Sequence, residues 1–146
     1  MSFYLLLPLI YFLGILPFPF LYGLSNVMKF FLYHVFGYRK KVVFTNLKNS
    51  FPEKKDEEIK KIASKFYTHL CDVILESFKS VLMSKKKLMK RSHWTDESIA
   101  LMKKMFDENK NLVMVGGHMG NFEWGNLSFS AQVQHQVMGV YKPIRD

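Results

Sequence analysis

Cysteine is nearly absent from this sequence, in which Cys71 is the only one among 146 residues. A single cysteine excludes an internal disulfide and any cysteine-rich zinc site, and we interpret Cys71 as a small apolar residue of a helix. Histidine provides no alternative ligand set, because the five histidines are scattered without a ligand cluster. We therefore expect neither a metal ion nor a cofactor. The histidines are His34, His69, His93, His118 and His135.

Charge is missing from the beginning of the chain. No charged residue precedes Lys29, and the mostly apolar run from Phe3 to Leu24 is close to the roughly 20 residues that cross a bilayer as a helix. A cleaved secretory signal is not indicated, because the run lacks both positive charge before it and a small-residue cleavage site after it. We predict an uncleaved membrane anchor in residues 1–37.

Three prolines interrupt this apolar run. An interior proline removes a helical hydrogen bond and clashes with the preceding turn, so Pro8, Pro17 and Pro19 conflict with one straight span. A kink or break is predicted at Leu16–Pro19. The alternative to a spanning anchor is a pair of shorter helices, with Leu21 to Phe36 lying along the membrane surface.

Acidic residues are also absent before Glu53, whereas five basic residues occur there: Lys29, Arg39, Lys40, Lys41 and Lys48. Positive charge after an apolar segment favours a cytoplasmic location for the rest of the chain and attracts anionic headgroups. The formal charge of +9 indicates an anionic partner, for which lipid, a phosphorylated substrate, an acidic carrier protein and nucleic acid all qualify. The basic cluster from Lys85 to Arg91 is interpreted as an exposed turn, with membrane or carrier contact as the alternative.

The remainder of the chain has alternating helix and strand patterns. Apolar spacing predicts an amphipathic helix over residues 54–80, and Thr95 can cap a helix that runs to about Glu108. Leu112–Val115 and Gln136–Tyr141 have the length and bounds of strands. We predict an α/β fold, with the first part of a catalytic domain in residues 38–146.

The long helix has two predicted faces, one packed in the core and one solvated. The apolar face comprises Ile59, Ile62, Phe66, Leu70, Val73, Ile74, Phe78 and Leu82. The polar face comprises Lys60, Lys61, Lys65, Thr68, Asp72, Glu76 and Lys79.

A glycine-rich segment with a histidine and a carboxylate follows the first predicted strand. Inside one helix, His118 and Glu123 would point about 140° apart, so we expect the histidine before a helix and the glutamate in its first turns. Gly116, Gly117 and Gly120 permit the tight backbone that this arrangement needs. The carboxylate can orient an imidazole that acts as general base, and amides at the helix start can stabilise an oxyanion. These are the parts of a direct acyl transfer from a thioester to a hydroxyl.

Other chemistries fit this segment less well. Ser128 and Ser130 lie in no Gly-x-Ser-x-Gly turn, which argues against a serine hydrolase. The glycines do not match the Gly-x-Gly-x-x-Gly of a dinucleotide site. The main alternative is a catalytically silent membrane-binding protein in which His118 is only structural.

The segment Gly117–Glu123 resembles the lipid A biosynthesis acyltransferases, the late lauroyl and myristoyl transferases of the bacterial inner membrane, which are related to the lysophospholipid acyltransferase superfamily. Tyr38–Val43, Asn46–Leu47 and Phe51–Glu53 are similar to the segment that follows that family's anchor. Val140–Arg145 is similar to a later block, in which arginine is more frequent at the position of Lys142. Because the family continues past this block, we expect the chain to be the N-terminal part of a longer enzyme and inactive by itself.

The resemblance implies a membrane-anchored acyltransferase of α/β fold, on the cytoplasmic side of the inner membrane. Its catalytic pair would be His118 and Glu123, and it implies an acyl-carrier-protein or acyl-CoA donor and a lipid A precursor as acceptor. Another glycolipid or a phospholipid is the alternative acceptor, and nucleic acid is not an implied partner. Substrate-binding roles fall on Gly117, Asn121, Lys142 and Arg145.

Overall fold

The computed structural model describes residues 2–140, and every regular element in that range is helical. The chain divides into two compact units, Met1–Leu82 and Met83–Asp146. The first unit contains α1 (Ser2–Ile15), α2 (Phe18–Phe30), a π-helical turn (Phe31–Val35), α3 (Lys40–Ser50) and α4 (Asp56–Ser80). The second contains α5 (Lys85–Arg91), α6 (Asp96–Asp107) and α7 (Phe122–Gln132).

The predicted α/β fold is wrong, because neither predicted strand forms among the described residues. Leu112–Val115 lies in an irregular segment, where Val113 and Val115 are 94% and 90% exposed. Residues 136–140 are also irregular and exposed, and Tyr141 lies outside the described residues. A strand needs a neighbouring strand to satisfy its backbone hydrogen bonds. Within residues 2–140 neither segment has such a neighbour.

Pro17 divides the uncharged beginning of the chain into two helices. α1 has 14 residues and α2 has 13, both fewer than the roughly 20 that span a bilayer. The membrane-spanning anchor helix predicted in residues 1–37 is therefore wrong, and the break predicted at Leu16–Pro19 is confirmed. Pro17 precedes α2 and Pro19 lies in its first turn, where a missing N–H removes no helical hydrogen bond.

The stretch from residue 2 to residue 140 contains no helix with both the length and the apolar character that a membrane crossing requires.

In the first unit, α1, α2 and α3 all pack against α4, whose bounds agree with the helix predicted over residues 54–80. Ile59 of the predicted apolar face is buried, but the other buried residues of α4 lie outside that face, of which Phe66 and Phe78 are 42% and 37% exposed. A ridge of residues four apart fits into the grooves of a neighbouring helix, and every fourth residue of α4 is buried. That ridge consists of Ile59, Ala63, Tyr67, Cys71, Leu75 and Lys79. The buried position of Cys71 confirms its interpretation as a small apolar helix residue.

Part of the polar face of α4 contacts α2 instead of solvent. Ser25 Oγ, which is fully buried, donates to Asp72 Oδ1 at 2.5 Å. Tyr22 Oη donates to Glu76 Oε1 at 2.6 Å. The expectation of a solvated face is therefore wrong for these two carboxylates, which accept hydrogen bonds from hydroxyl groups of α2.

Lys79, also predicted on the solvated face, is 7% exposed. Its Nζ donates to the carbonyl oxygens of Gly14 at 3.0 Å and Leu16 at 2.5 Å, and it lies 4.9 Å from the ring centroid of Phe18. The last carbonyls of a helix have no intrahelical donor, and a cation is favoured at that negative end of the helix dipole. Lys79 therefore caps α1 at the break before α2.

Gly14 and Gly23 offer a matched pair of substitutions in these helices. A Cβ added at Gly14 would lie 2.6 Å from Leu82 Cδ1 and 3.1 Å from Leu82 Cβ, and crowding of this kind costs about 1 to 3 kcal/mol. A Cβ added at Gly23 has nothing within 4 Å. We expect Gly14→Ala to lower the free energy of unfolding and Gly23→Ala to raise it by about 0.5 to 1 kcal/mol. Urea denaturation followed by circular dichroism measures both, and equal stabilisation would contradict the close approach of Leu82.

The second unit is built around α7. Ser84 caps α5 and Thr95 caps α6 through side-chain acceptors, in agreement with the helix predicted after Thr95. Trp124 and Phe129 of α7 are buried, and Trp94 packs edge-on against Phe129 at a centroid distance of 5.2 Å. These contacts fix the helix that follows the glycine-rich segment.

Candidate active site

His118 lies in the irregular segment before α7, close to the helix entrance. Met119 N donates to Gly117 O at 2.9 Å, which tightens the chain around His118. Gly120 has φ +61°, a backbone conformation that glycine adopts without the penalty that other residues incur. Gly120 therefore supplies the turn that brings the chain into α7.

The first turn of α7 holds Glu123, next to the residue that contacts His118. Asn121 Oδ1 accepts a hydrogen bond from Trp124 N at 3.0 Å and so caps the helix. The imidazole of His118 stacks on the ring of Phe122, with centroids 4.1 Å apart and planes inclined by 27°. The helix thus begins between the histidine and the carboxylate, and Phe122 holds the imidazole beside its first turn.

His118 and Glu123 are both exposed. Among residues 2–140, no hydrogen bond or ion pair joins them, and the imidazole of His118 stacks on Phe122 instead. An exposed imidazole before α7 and an exposed carboxylate in its first turn can each reach a bound substrate. Sequence reasoning did not identify Phe122 as the residue that positions His118, although an aromatic residue four positions after a histidine was visible in the sequence.

The proposed substrate-binding residues fall into two groups. Gly117 provides the carbonyl that closes the turn at Met119, and Asn121 is the helix cap. Lys142 and Arg145 lie outside the described residues. Within the part of the chain that the structure describes, no three His, Cys, Asp or Glu side chains come together as metal ligands.

The basic cluster from Lys85 to Arg91 forms α5, a helix instead of the turn expected from the sequence. α5 packs against α7 through the buried Leu88, and the guanidinium of Arg91 lies 6.0 Å from the ring centroid of Trp124. The four lysines of α5 are exposed. An exposed cationic surface therefore belongs to the helix that packs on α7, the helix that begins beside His118.

The neighbouring helix α6 is also rich in lysine but carries its own counter-charges. Lys103 pairs with Asp107 at 2.7 Å, and Lys104 lies 4.0 Å from Glu108. Across residues 2–140, no ion pair is formed by Lys85, Lys86 or Lys87. Among the described residues of this unit, Lys85, Lys86 and Lys87 are therefore available to an anionic partner.

Comparison with known proteins identifies the chain. Searches of curated proteins and of solved structures give no match. The family model for bacterial lipid A biosynthesis acyltransferases matches residues 1–145. Because that match covers almost the whole chain and includes the His118 segment, the chain belongs to the bacterial lipid A biosynthesis acyltransferase family and is an acyltransferase.

Proposed function

We propose that the protein transfers a fatty acyl group from a thioester of acyl carrier protein, or of CoA, to a hydroxyl of a lipid A precursor at the cytoplasmic face of the bacterial inner membrane. The family supports acyl transfer in general. The observation that carries the finer proposal is the exposed His118, held by Phe122 at the start of the helix whose first turn contains Glu123.

In this mechanism His118 acts as the general base. One imidazole nitrogen takes the proton of the acceptor hydroxyl while its oxygen attacks the thioester carbonyl. The C–S bond of the tetrahedral intermediate then breaks, and the departing sulfur recovers the proton from the imidazolium. A new ester and a free thiol are the products, so protons and electrons balance without a further reactant.

Glu123 has the positioning role. A carboxylate that accepts the other imidazole N–H selects the reactive tautomer and stabilises the imidazolium. The backbone amides of the first turn of α7 have no intrahelical acceptor, so they can stabilise the oxyanion of the intermediate.

The mechanism requires one local rearrangement. His118 stacks on Phe122 and has no bond to Glu123 in this structure, so rotation of its side chain must accompany substrate binding. Catalytic hydrogen bonds are often long in ligand-free enzymes and tighten in the substrate complex. The exposure of both side chains leaves room for this rotation.

The exposed lysines of α5 support an acidic carrier protein as the donor. Complementary charge steers association and fixes orientation more than it raises affinity. Since α5 packs on α7, a carrier bound at α5 would hold its thioester near the helix that begins beside His118. CoA carries phosphates that can use the same cations, so the two donors must be compared directly.

A transfer assay on membranes that contain the intact protein tests the proposal. Radiolabelled carrier-bound acyl groups and acyl-CoA are offered in parallel, with a lipid A precursor or a phospholipid as acceptor. We expect transfer to the lipid A precursor, with the carrier thioester as the better donor. Labelling of the phospholipid alone would contradict the acceptor, and faster transfer from acyl-CoA would contradict the donor.

A further inference from the structure

A groove of about 270 Å³ lies between α3 and α4 in the first unit. Its apolar walls are formed by Val42, Val43, Phe66 and Leu70. Val42 is 50% exposed and Phe66 is 42% exposed, so this apolar surface is open to solvent in the described structure. Covering it with a hydrocarbon chain would stabilise the complex by about 25 cal/mol for each Å² removed from water.

The lining of the groove also includes a positive charge. Arg39 lines the groove together with Asn46, and no ion pair of Arg39 is found within residues 2–140. Sequence neighbours do not neutralise it, because no acidic residue precedes Glu53. A guanidinium without an ion pair in the lining of an apolar groove fits a carboxylate or another anion, to which it can donate two parallel hydrogen bonds.

The turn that presents Arg39 is held in a costly conformation. Arg39 has φ +50°, in the left-handed region that residues with a side chain rarely adopt. Such strain persists only where the surrounding structure enforces it, and it is concentrated at functional sites. The position of Arg39 is therefore built into the turn before α3.

Several contacts enforce this turn. Tyr67 Oη donates to Tyr38 O at 2.5 Å, Tyr38 N donates to Leu32 O at 2.9 Å, and Lys40 N donates to Gly37 O at 3.0 Å. Tyr67 is fully buried in α4, and burial raises the pKa of its hydroxyl, which keeps it protonated as a donor. The arginine and the apolar walls are thus positioned before any ligand binds. In a preformed site, less of the binding free energy is lost in ordering the protein.

We propose that this groove binds one fatty carboxylate, with its carboxylate on Arg39 and the adjoining part of its hydrocarbon chain on Val42 and Phe66. The groove, at about 270 Å³, lies just below the usual range of ligand pockets, about 300 to 1,000 Å³, so it covers only part of a long hydrocarbon chain and the remainder extends outside it. This site belongs to the first unit and involves no bond-making step. It does not depend on acyl transfer at His118.

Fluorescence titration with cis-parinaric acid tests the site in the intact protein. We expect saturable binding that weakens about tenfold in Arg39→Asn, since a charged hydrogen bond contributes roughly that factor, and asparagine tolerates the left-handed backbone. Lys41→Asn removes a neighbouring exposed cation that does not line the groove, so this control should bind like the parent. The methyl ester of the probe lacks the carboxylate, so it should bind weakly to the parent. Arg39→Asn should leave that weak affinity for the ester unchanged.

A second variant fills the groove without changing its charge. Val42→Trp places a large side chain where the hydrocarbon would lie, and we expect it to abolish saturable binding while circular dichroism remains that of the parent. Equal binding by Val42→Trp and the parent would overturn the proposal. Non-saturable uptake that is the same for the acid and its methyl ester would also overturn it, because it would indicate partition onto exposed apolar surface. His118→Ala should bind the probe normally, which separates this site from the proposed catalytic one.

Discussion

Replacement of His118 by alanine should reduce acyl transfer by about 10² to 10⁴, the range that general-base assistance usually contributes. The substitution removes the group that takes the acceptor proton, while the exposed position of His118 leaves the buried residues of the second unit in place. Glu123→Gln should also be severe, because glutamine cannot stabilise an imidazolium by charge. The rate of transfer at saturating donor and acceptor is the measurement, with circular dichroism as the check of folding.

The double variant distinguishes a catalytic pair from two independent residues. If Glu123 acts through His118, the double variant should be little slower than His118→Ala, since residues that act as a unit are non-additive. His93→Ala is the matched control, because His93 is an exposed histidine of the same unit. A folded His118→Ala protein with near-parent transfer would show that the motif is structural.

Lys79→Met should lower the free energy of unfolding by about 1 kcal/mol or more, because it leaves two partly buried carbonyl acceptors without a donor. The methionine keeps much of the apolar stem but leaves the carbonyls of Gly14 and Leu16 without the ammonium. Pro17 and Pro19, which follow, have no N–H to replace it. The end of α1 should therefore be the first part of the first unit to lose structure.

Urea denaturation in mild detergent measures the effect on the whole first unit, and amide hydrogen exchange locates it. Lys65→Met is the control, because Lys65 lies exposed on the same helix and surface substitutions usually change stability by less than about 0.5 kcal/mol. If Lys79→Met and Lys65→Met have the same midpoint, Lys79 does not hold α1 in the way described.

The sequence alone predicted those structural elements that are determined by local interactions. The long helix α4, the helix after Thr95 and the break before Pro17 all depend on apolar spacing, side-chain caps or the geometry of proline, and each was predicted within a few residues. The resemblance carried by Gly117–Glu123 also led to the family, which the match over residues 1–145 confirms. The roles of His118 and Glu123 themselves remain predictions.

Only the tertiary structure decided which surfaces are buried and which segments pair. Leu112–Val115 has the composition of a buried strand, but a strand exists only where a partner satisfies its backbone, and that partner is not encoded within the segment. On α4, the larger apolar side chains suggested one face, whereas close packing of three helices selected the neighbouring ridge with Ala63 and Cys71. The burial of Lys79 also depends on tertiary packing. Its acceptors lie more than sixty residues away in the sequence, and these carbonyls lack an intrahelical donor only because α1 ends there.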